Sequence, residues 1–356
     1  MLRALQGALL LLAMTITSYA YAISSSVPTF SETCRLAWYQ YDTNLPLHPT
    51  LKPLDTTSTG IRYALTYDSI HDQRVTAILA LPKQGKAPYP AVIVMHGSGG
   101  NKDSSYVKAS AEMLNGIGFA ALSIDAQYCG DRKRPERSGD IFLPNSYTAR
   151  DAWVQTVVDL RRAIDYLQSR PDIAKNRIGY LGFSMGAMLG SVLGGVDRRV
   201  AALCLAVPGG GFVQIAEHIA AYPLLRAHWP ITINPQVMKI IQSVSQITDP
   251  IYYIGRIAPR PMLIFTAKYD EIIPPAASKA LIAAARNDKN LRVIEVNSGH
   301  ILNPEIIFTI RDWFQKHLLP QTTSLNDSFK ARAFHSDTTS ARSGAKCSWR
   351  LPTADR

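Results

Sequence analysis

The chain has 356 residues, of which 47% are hydrophobic and 18% are charged. This balance is typical of a folded globular protein and excludes a disordered or fibrous chain. The formal net charge is +11, but the basic residues are spread along the sequence. No Lys/Arg-rich helix and no basic strand interleaved with aromatic residues accompanies the charge, so nucleic acid is not an expected partner.

The first 22 residues have the three parts of a secretory signal peptide. Arg3 supplies a positive start, residues 8–14 form a short apolar run, and Ala20-Tyr21-Ala22 gives a small-x-small end. We therefore predict an exported protein, periplasmic or secreted, whose mature chain begins near Ile23. The apolar run is far shorter than the roughly 20 residues that cross a bilayer, so no stable membrane insertion is expected.

The mature chain predicts an α/β fold with a mostly parallel sheet of about eight strands. After a loop-rich start, two runs form an antiparallel edge, and short apolar strands then alternate with helices, which is typical of a sheet covered on both faces. The predicted strands are 61–67, 74–81, 91–95, 119–124, 178–183, 200–207, 261–267 and 291–296, and the predicted helices are 106–117, 149–169, 186–194, 275–288 and 304–319.

Two segments depart from this alternation. Residues 208–258 hold amphipathic pieces but no clear strand, and about fifty residues are too many for an ordinary connection. We interpret them as a helical cap over a pocket at the carboxyl edge of the sheet. Residues 320–356 are rich in Ser, Thr, Arg and Lys, and we predict a disordered tail. Residues 23–319 therefore form the predicted domain.

Gly182-Phe183-Ser184-Met185-Gly186 is the strongest local signal. It follows an apolar strand and precedes a helix of small residues. G-x-S-x-G in this position is the nucleophile elbow, a turn so tight that glycine is needed on either side of the serine. The motif predicts Ser184 as a catalytic nucleophile.

His96-Gly97-Ser98-Gly99-Gly100 follows the strand that ends at Met95. A serine hydrolase needs two backbone N–H groups for the oxyanion, and we assign them to Ser98 and to Met185, the residue after the nucleophile. A phosphate-binding loop is disfavoured because Lys102 takes the place of the third glycine of a dinucleotide motif. We expect His96 to shape the loop. Candidate substrate contacts in and around it are His96, Gly97, Gly99, Tyr128 and Trp153, with helix packing as the competing role of Trp153.

The general base and its acid follow from the chain order serine, acid, histidine. His300 stands in a loop just after strand 291–296, and Asp270 closes the run that begins at Pro261. A carboxylate and an imidazole at neighbouring strand ends can converge on Ser184. Glu271 and Asp249 are weaker candidates for the acid. The predicted catalytic set is therefore Ser184, Asp270 and His300.

Other features carry less functional information. Arg132, Lys133, Arg134 and Arg137 crowd one loop, which is either solvated or faces an acidic substrate. The four cysteines, Cys34, Cys129, Cys204 and Cys347, allow three complete pairings; a Cys34–Cys129 bridge stays open, and Cys204 fits a packed thiol. No clustered metal ligands or lysine Schiff-base setting occur, so neither a metal nor a cofactor is predicted.

These motifs resemble the α/β-hydrolase superfamily, and within it the dienelactone-hydrolase and acetyl-xylan-esterase-like branch. The resemblance covers about residues 60–319 and rests on residues 96–100 and 177–186, Tyr269-Asp270 with Ile273-Pro274, and Gly299-His300. It implies a serine esterase acting on a small-molecule or glycan ester. Dienelactone hydrolases have a shorter chain and a cysteine nucleophile, so Ser184 and the long insertion argue against that activity.

Two alternatives stay open at this stage. A prolyl-oligopeptidase-like peptidase has a similar catalytic domain, although no β-propeller of several hundred residues precedes this one. A non-catalytic binding protein of the same fold usually lacks part of the triad, whereas all three candidates are present here. The motifs specify the superfamily and leave the acyl group, the alcohol and the oligomeric state unassigned.

Overall fold

The computed structural model describes residues 29–135, 137, 146–229, 233–285 and 289–320. The predicted signal peptide, 1–22, lies outside these residues, and so do Cys347 and the predicted tail beyond Pro320. In the part of the chain that is described, no helix is both long and apolar enough to span a bilayer.

A nine-stranded sheet forms the centre of the described chain, in the order β1-β2-β3-β5-β4-β6-β7-β8-β9. β1, β2 and β3 pair antiparallel, β3 pairs antiparallel with β5, and the strands from β4 to β9 run parallel. This confirms the predicted α/β architecture. The strands are β1 Thr50–Thr56, β2 Gly60–Asp68, β3 Arg74–Pro82, β4 Tyr89–Met95, β5 Ala120–Ile124, β6 Ile173–Phe183, β7 Val200–Ala206, β8 Met262–Ala267 and β9 Leu291–Val296.

The structure has nine strands, whereas the apolar pattern of the sequence predicts about eight. β1 is the additional strand. All seven of its residues are exposed, so no alternation of apolar and polar residues marks it. Its register with β2 also shifts between Pro53 and Asp55, as expected of a proline on an edge strand. It therefore extends the antiparallel edge without contributing to the core.

Helices cover the sheet on both faces. α3, α4 and α8 pack on one face, and α2 and α9 pack on the other. The central strands are consequently buried on both sides, which explains their nearly continuous apolar sequences. The helices are α1 Glu32–Ala37, α2 Ser105–Gly116, α3 Ser146–Ser169, α4 Met185–Val196, α5 Phe212–Ala221, α6 Pro223–His228, α7 Pro235–Thr248, α8 Pro275–Ala284 and α9 Ile306–Leu318.

The long connection between β7 and β8 is helical where it is described. It contains α5, α6 and α7, followed by two short 3-10 turns at Pro250–Tyr252 and Ile254–Arg256. Phe212, Ile215 and Ile219 of α5 and Ile241 of α7 are buried in the same core cluster as the face formed by α3 and α4. The predicted cap sequence therefore has an apolar face that joins the main core.

Asp249 fastens the two ends of this insertion to each other. Its buried carboxylate accepts hydrogen bonds from the N–H groups of Gly211 (3.0 Å), Phe212 (2.6 Å) and Ile251 (3.1 Å). Burial raises the pKa of the Asp249 carboxyl to about 6, although the three donors oppose that shift. The side chain thus serves the start of α5 and the turn after α7 together.

The described cysteines do not cross-link the chain. Cys34, Cys129 and Cys204 form no disulfide bond with one another, so the Cys34–Cys129 bridge that the sequence left open is absent. Cys204 is fully buried on β7, and burial raises the pKa of its thiol. It is a packed thiol, as the sequence suggested.

We predict that Asp249→Ala lowers the free energy of unfolding by about 2–4 kcal/mol, because three N–H groups lose a buried acceptor. Asn234→Ala is the matched control, since Asn234 accepts two N–H bonds at the exposed start of α7 and should cost about 1 kcal/mol. Urea unfolding followed by circular dichroism measures both. Equal costs for the two variants would contradict the anchoring role of Asp249.

Candidate active site

Ser184 lies at the turn between β6 and α4 in a backbone conformation that few residues adopt. Its φ is 51°, in the positive region that is strained for a residue with a side chain. A Cβ at Gly186 would lie 2.5 Å from the Met95 carbonyl oxygen, and one at Gly182 would lie 2.4 Å from the Gly186 oxygen. Glycine is therefore required on both sides, and the turn presents Ser184 at the carboxyl edge of the sheet.

His300 links Ser184 to Asp270. Its Nε2 lies 2.9 Å from the Ser184 Oγ, and its Nδ1 lies 2.9 Å from each Asp270 carboxylate oxygen. Because a carboxylate can only accept, Nδ1 carries the proton and Nε2 is left to accept from the serine hydroxyl. The side chains of His300 and Asp270 are 11% and 4% exposed, so solvent does not compete strongly for these bonds.

Asp270 is held in place by its own backbone neighbours. Its Oδ1 accepts hydrogen bonds from the N–H groups of Ile272 (3.0 Å) and Ile273 (2.8 Å). Glu271, the weaker candidate, instead accepts the backbone N–H of His300 at 2.9 Å. Asp249 is bonded within the insertion. The structure thus brings Asp270, and neither alternative, to the imidazole, while Glu271 positions the loop that carries His300.

The two predicted oxyanion donors lie beside Ser184. Met185 is the first residue of α4, so its N–H has no acceptor within the helix. The loop after β4 runs against the elbow, because a Cβ at Gly97 would lie 3.3 Å from the Ser184 Cβ. Ser98 follows Gly97 and lines the same cavity as Ser184 and Met185.

His96 has no access to this cavity. It is fully buried, its Nε2 accepts the Ala126 N–H at 3.2 Å, and its Nδ1 lies 2.7 Å from the Gly97 carbonyl oxygen. The first bond leaves Nδ1–H as the donor of the second. Burial lowers the pKa of His96, which keeps the ring neutral near pH 7. Its bonds join the loop after β4 to the end of β5, in agreement with the expected loop-shaping role.

Sequence reasoning missed the contacts of Tyr106 and Asp125 that fix the same loop. The Tyr106 hydroxyl accepts the Gly97 N–H at 2.9 Å. Asp125, fully buried at the end of β5, accepts from the Lys102 N–H (2.9 Å) and from the Lys102 Nζ (2.7 Å). Asp125 also accepts the Thr76 hydroxyl at 2.7 Å. The position of Asp125 directly after an apolar strand was the one available signal.

A cavity of about 930 Å³ surrounds Ser184 and His300. Gly97 and Trp153, two of the predicted contacts, line it, and so does Trp229 from the insertion. Gly99 is exposed on the loop and is not part of the described lining. Tyr128 lies elsewhere: it lines a second cavity of about 540 Å³, and its backbone is left-handed (φ 66°).

Arg132 does not face a substrate. Its side chain is buried, and its Nη1 pairs with the Asp159 carboxylate at 2.6 Å. Arg132 therefore forms a structural ion pair inside the protein. Lys133 and Arg134 are exposed. In the described part of the chain, no three His, Cys, Asp or Glu side chains converge as a metal-binding set.

Comparison with known proteins gives one protein family whose sequence model matches most of this chain. Residues 39–317 match the acetyl xylan esterase (AXE1) family. YtaP of Bacillus subtilis, a hydrolase by name, is 26% identical over 264 residues, covering 68% of this chain and 84% of its own.

Solved structures share the fold. An acetyl xylan esterase from Paenibacillus sp. R4 superposes with a TM-score of 0.65 at 21% identity, over 81% of this chain and 93% of its own. Acetyl xylan esterase 1 from Thermoanaerobacterium sp. gives a TM-score of 0.65 at 16% identity, over 81% of this chain and 92% of its own. At these identities the superpositions support the fold alone.

We predict that Asp125→Asn lowers the free energy of unfolding by about 3 kcal/mol at pH 7, because it removes one partner of a buried ion pair. Burial alone would raise the pKa of the Asp125 carboxyl, but bonds from Lys102 and Thr76 outweigh it and lower the pKa below the ordinary 3.8. The stabilisation is therefore complete above pH 3.8 and is lost as the pH falls through the lowered value.

The measurement is urea unfolding of wild type and variant between pH 3 and pH 7. Asp131→Asn is the matched control, since Asp131 also bonds the Lys102 Nζ at 2.7 Å but its side chain is 71% exposed. It should change stability by less than about 1 kcal/mol. A gap between wild type and Asp125→Asn that widens in acid would contradict the assignment.

Proposed function

Because the chain belongs to the acetyl xylan esterase family and is a carboxylic ester hydrolase, we propose that Ser184 is its nucleophile and that the reaction passes through an acyl-enzyme. The observation that carries this proposal is the unbroken line of hydrogen bonds from Asp270 through His300 to the Ser184 hydroxyl. Such a line is the arrangement that activates a serine for acyl transfer.

Acylation begins when the Ser184 Oγ attacks the ester carbonyl carbon and passes its proton to the His300 Nε2. Asp270 holds the Nδ1–H tautomer and stabilises the imidazolium that forms. The tetrahedral intermediate then collapses, the carbon–oxygen bond to the alcohol breaks, and His300 returns the proton to the departing oxygen. The products of this half-reaction are the free alcohol and an ester on Ser184.

Deacylation repeats the same steps with water. His300 takes a proton from the water as its oxygen attacks the acyl carbon, and then gives the proton to the Ser184 oxygen as the acid leaves. In both half-reactions the carbonyl oxygen becomes negative and accepts hydrogen bonds from the N–H groups of Met185 and Ser98. Each donor of this kind lowers the barrier by about 3–4 kcal/mol.

We predict that Ser184→Ala lowers kcat for p-nitrophenyl acetate on the order of 10⁵-fold or more, since the covalent route is lost. Ser191→Ala is the matched control: it removes a buried serine hydroxyl of α4 that bonds the Ala187 carbonyl oxygen, and Ser191 is not among the described residues that line the cavity. Its activity should stay near that of wild type, and the circular dichroism spectra of all three proteins should agree. Full activity of Ser184→Ala would remove Ser184 from the mechanism.

The proposal includes export. Its support is the sequence of residues 1–22, with Arg3, the apolar run and the Ala20-Tyr21-Ala22 end. We predict that the mature chain begins near Ile23, which N-terminal sequencing and intact mass of the exported fraction measure. Leu10→Arg should retain the chain in the cytoplasm, because a charge breaks the apolar run. Detection of the intact Met1 end in the exported fraction would contradict cleavage.

A further inference from the structure

The walls of the cavity around Ser184 are mainly apolar. Among the described residues that line it there is no Asp, Glu, Lys or Arg, and polar side chains are the minority: apart from Ser184 and His300 they are Ser98, Ser105, Ser110, Tyr106, Trp153, Trp229 and Asn303. A sugar ring presents hydroxyl groups that need several such partners when water is removed. The lining therefore suits an apolar substrate group better than a carbohydrate.

One part of the wall directly adjoins the catalytic histidine. We name it the isoleucine groove; it consists of Ile301, Leu302, Ile306, Ile307 and Ile310, and Tyr106 and Ala109 of α2 line the same cavity. Ile301 follows His300 and is 87% exposed. Ile306 and Ile307 are half-buried at the start of α9. Ile301, Ile306 and Ile307 leave apolar surface in contact with water, and a ligand that covered it would gain binding free energy.

The size of the cavity points the same way. At about 930 Å³ it is near the upper end of the range for pockets that bury a drug-sized ligand. An acetyl group would fill a small fraction of the cavity, and the side chains of the isoleucine groove would stay exposed to water.

We propose that the natural substrate is an ester carrying an apolar chain of several carbons, and that this chain lies in the isoleucine groove. The inference rests on the proposed function, since the groove opens beside Ser184 and His300. The chain belongs either to the acid or to the alcohol of the ester, and both place the same apolar surface against the same side chains.

The test compares kcat/KM along two substrate series. In the first, p-nitrophenyl acetate, butyrate, hexanoate and octanoate lengthen the acid; in the second, ethyl, butyl, hexyl and octyl acetate lengthen the alcohol. We expect kcat/KM to rise at least tenfold from the shortest to the longest ester of one series. Each methylene that becomes buried can raise kcat/KM by about fourfold at most, so several buried methylenes suffice. The series that rises identifies the side of the ester. A flat or falling response in both, or a preference for acetylated xylobiose, would overturn the inference.

Substitutions in the isoleucine groove test where the apolar chain of the substrate binds. Ile307→Ser should lower the ratio of kcat/KM for the preferred long ester to that for its two-carbon counterpart by about tenfold, the loss of roughly two methylene contacts. Phe308→Ser is the matched control, because Phe308 is the adjacent residue of α9, is 58% exposed and is outside the described lining. It should leave the ratio unchanged. An equal ratio in Ile307→Ser and wild type would overturn the placement.

Ala109→Trp provides a second variant at an exposed position of α2, where folding is least at risk. The indole should occupy the groove and lower the same ratio at least tenfold; an unchanged ratio would count against the groove. The two hypotheses fail separately. If no ester is hydrolysed, or Ser184→Ala is active, the proposed function fails. If acetate esters are cleaved through Ser184 with no gain along either series, only the chain-binding inference fails.

Discussion

The turn at Ser184 is the constraint on which the rest of the site depends. A positive φ at a serine is tolerated because the glycines at 182 and 186 let β6 and α4 approach the carbonyl groups around them. The same turn puts the hydroxyl at the carboxyl edge of the sheet and the Met185 N–H at the first position of a helix. The proposed nucleophile and one proposed oxyanion donor are thus products of one local conformation.

Parallel strand order does the rest of the assembly. The loops after β4, β6, β8 and β9 all leave the same edge of the sheet, and they carry Ser98, Ser184, Asp270 and His300. Each loop is fixed by bonds of its own: Lys102 to Asp125 for the first, and Glu271 to the His300 N–H for the last. Rigid loops on a rigid sheet keep distances of 2.9 Å between side chains that are 116 and 30 residues apart in sequence. Preorganisation of this kind is what acyl transfer requires.

Reaction class and substrate class come from different features. Family membership specifies ester hydrolysis, which decides against the peptidase and the non-catalytic alternatives that the motifs alone left open. The substrate depends on the cavity walls, because the motifs of the elbow and of the oxyanion loop are common to enzymes with unrelated substrates. Here much of the wall comes from α2, α9 and the insertion, none of which carries Ser184, Asp270 or His300. Ile306, Ile307 and Ile310 of α9 contribute apolar surface to these walls.

The sequence by itself determined the α/β class, the central strands, the long helices and the three residues that meet at His300. It could do so because buried strands must be apolar and because a tight turn requires glycine. Both requirements are visible in short stretches of sequence. It did not determine β1, whose exposed residues carry no apolar period, or Asp125, whose partners lie 23 and 49 residues away. It also predicted Tyr128 as a substrate contact, whereas the structure places that residue in the lining of another cavity. Only the tertiary structure could decide these points, because they depend on which distant segments share a surface, and periodicity contains no information about that.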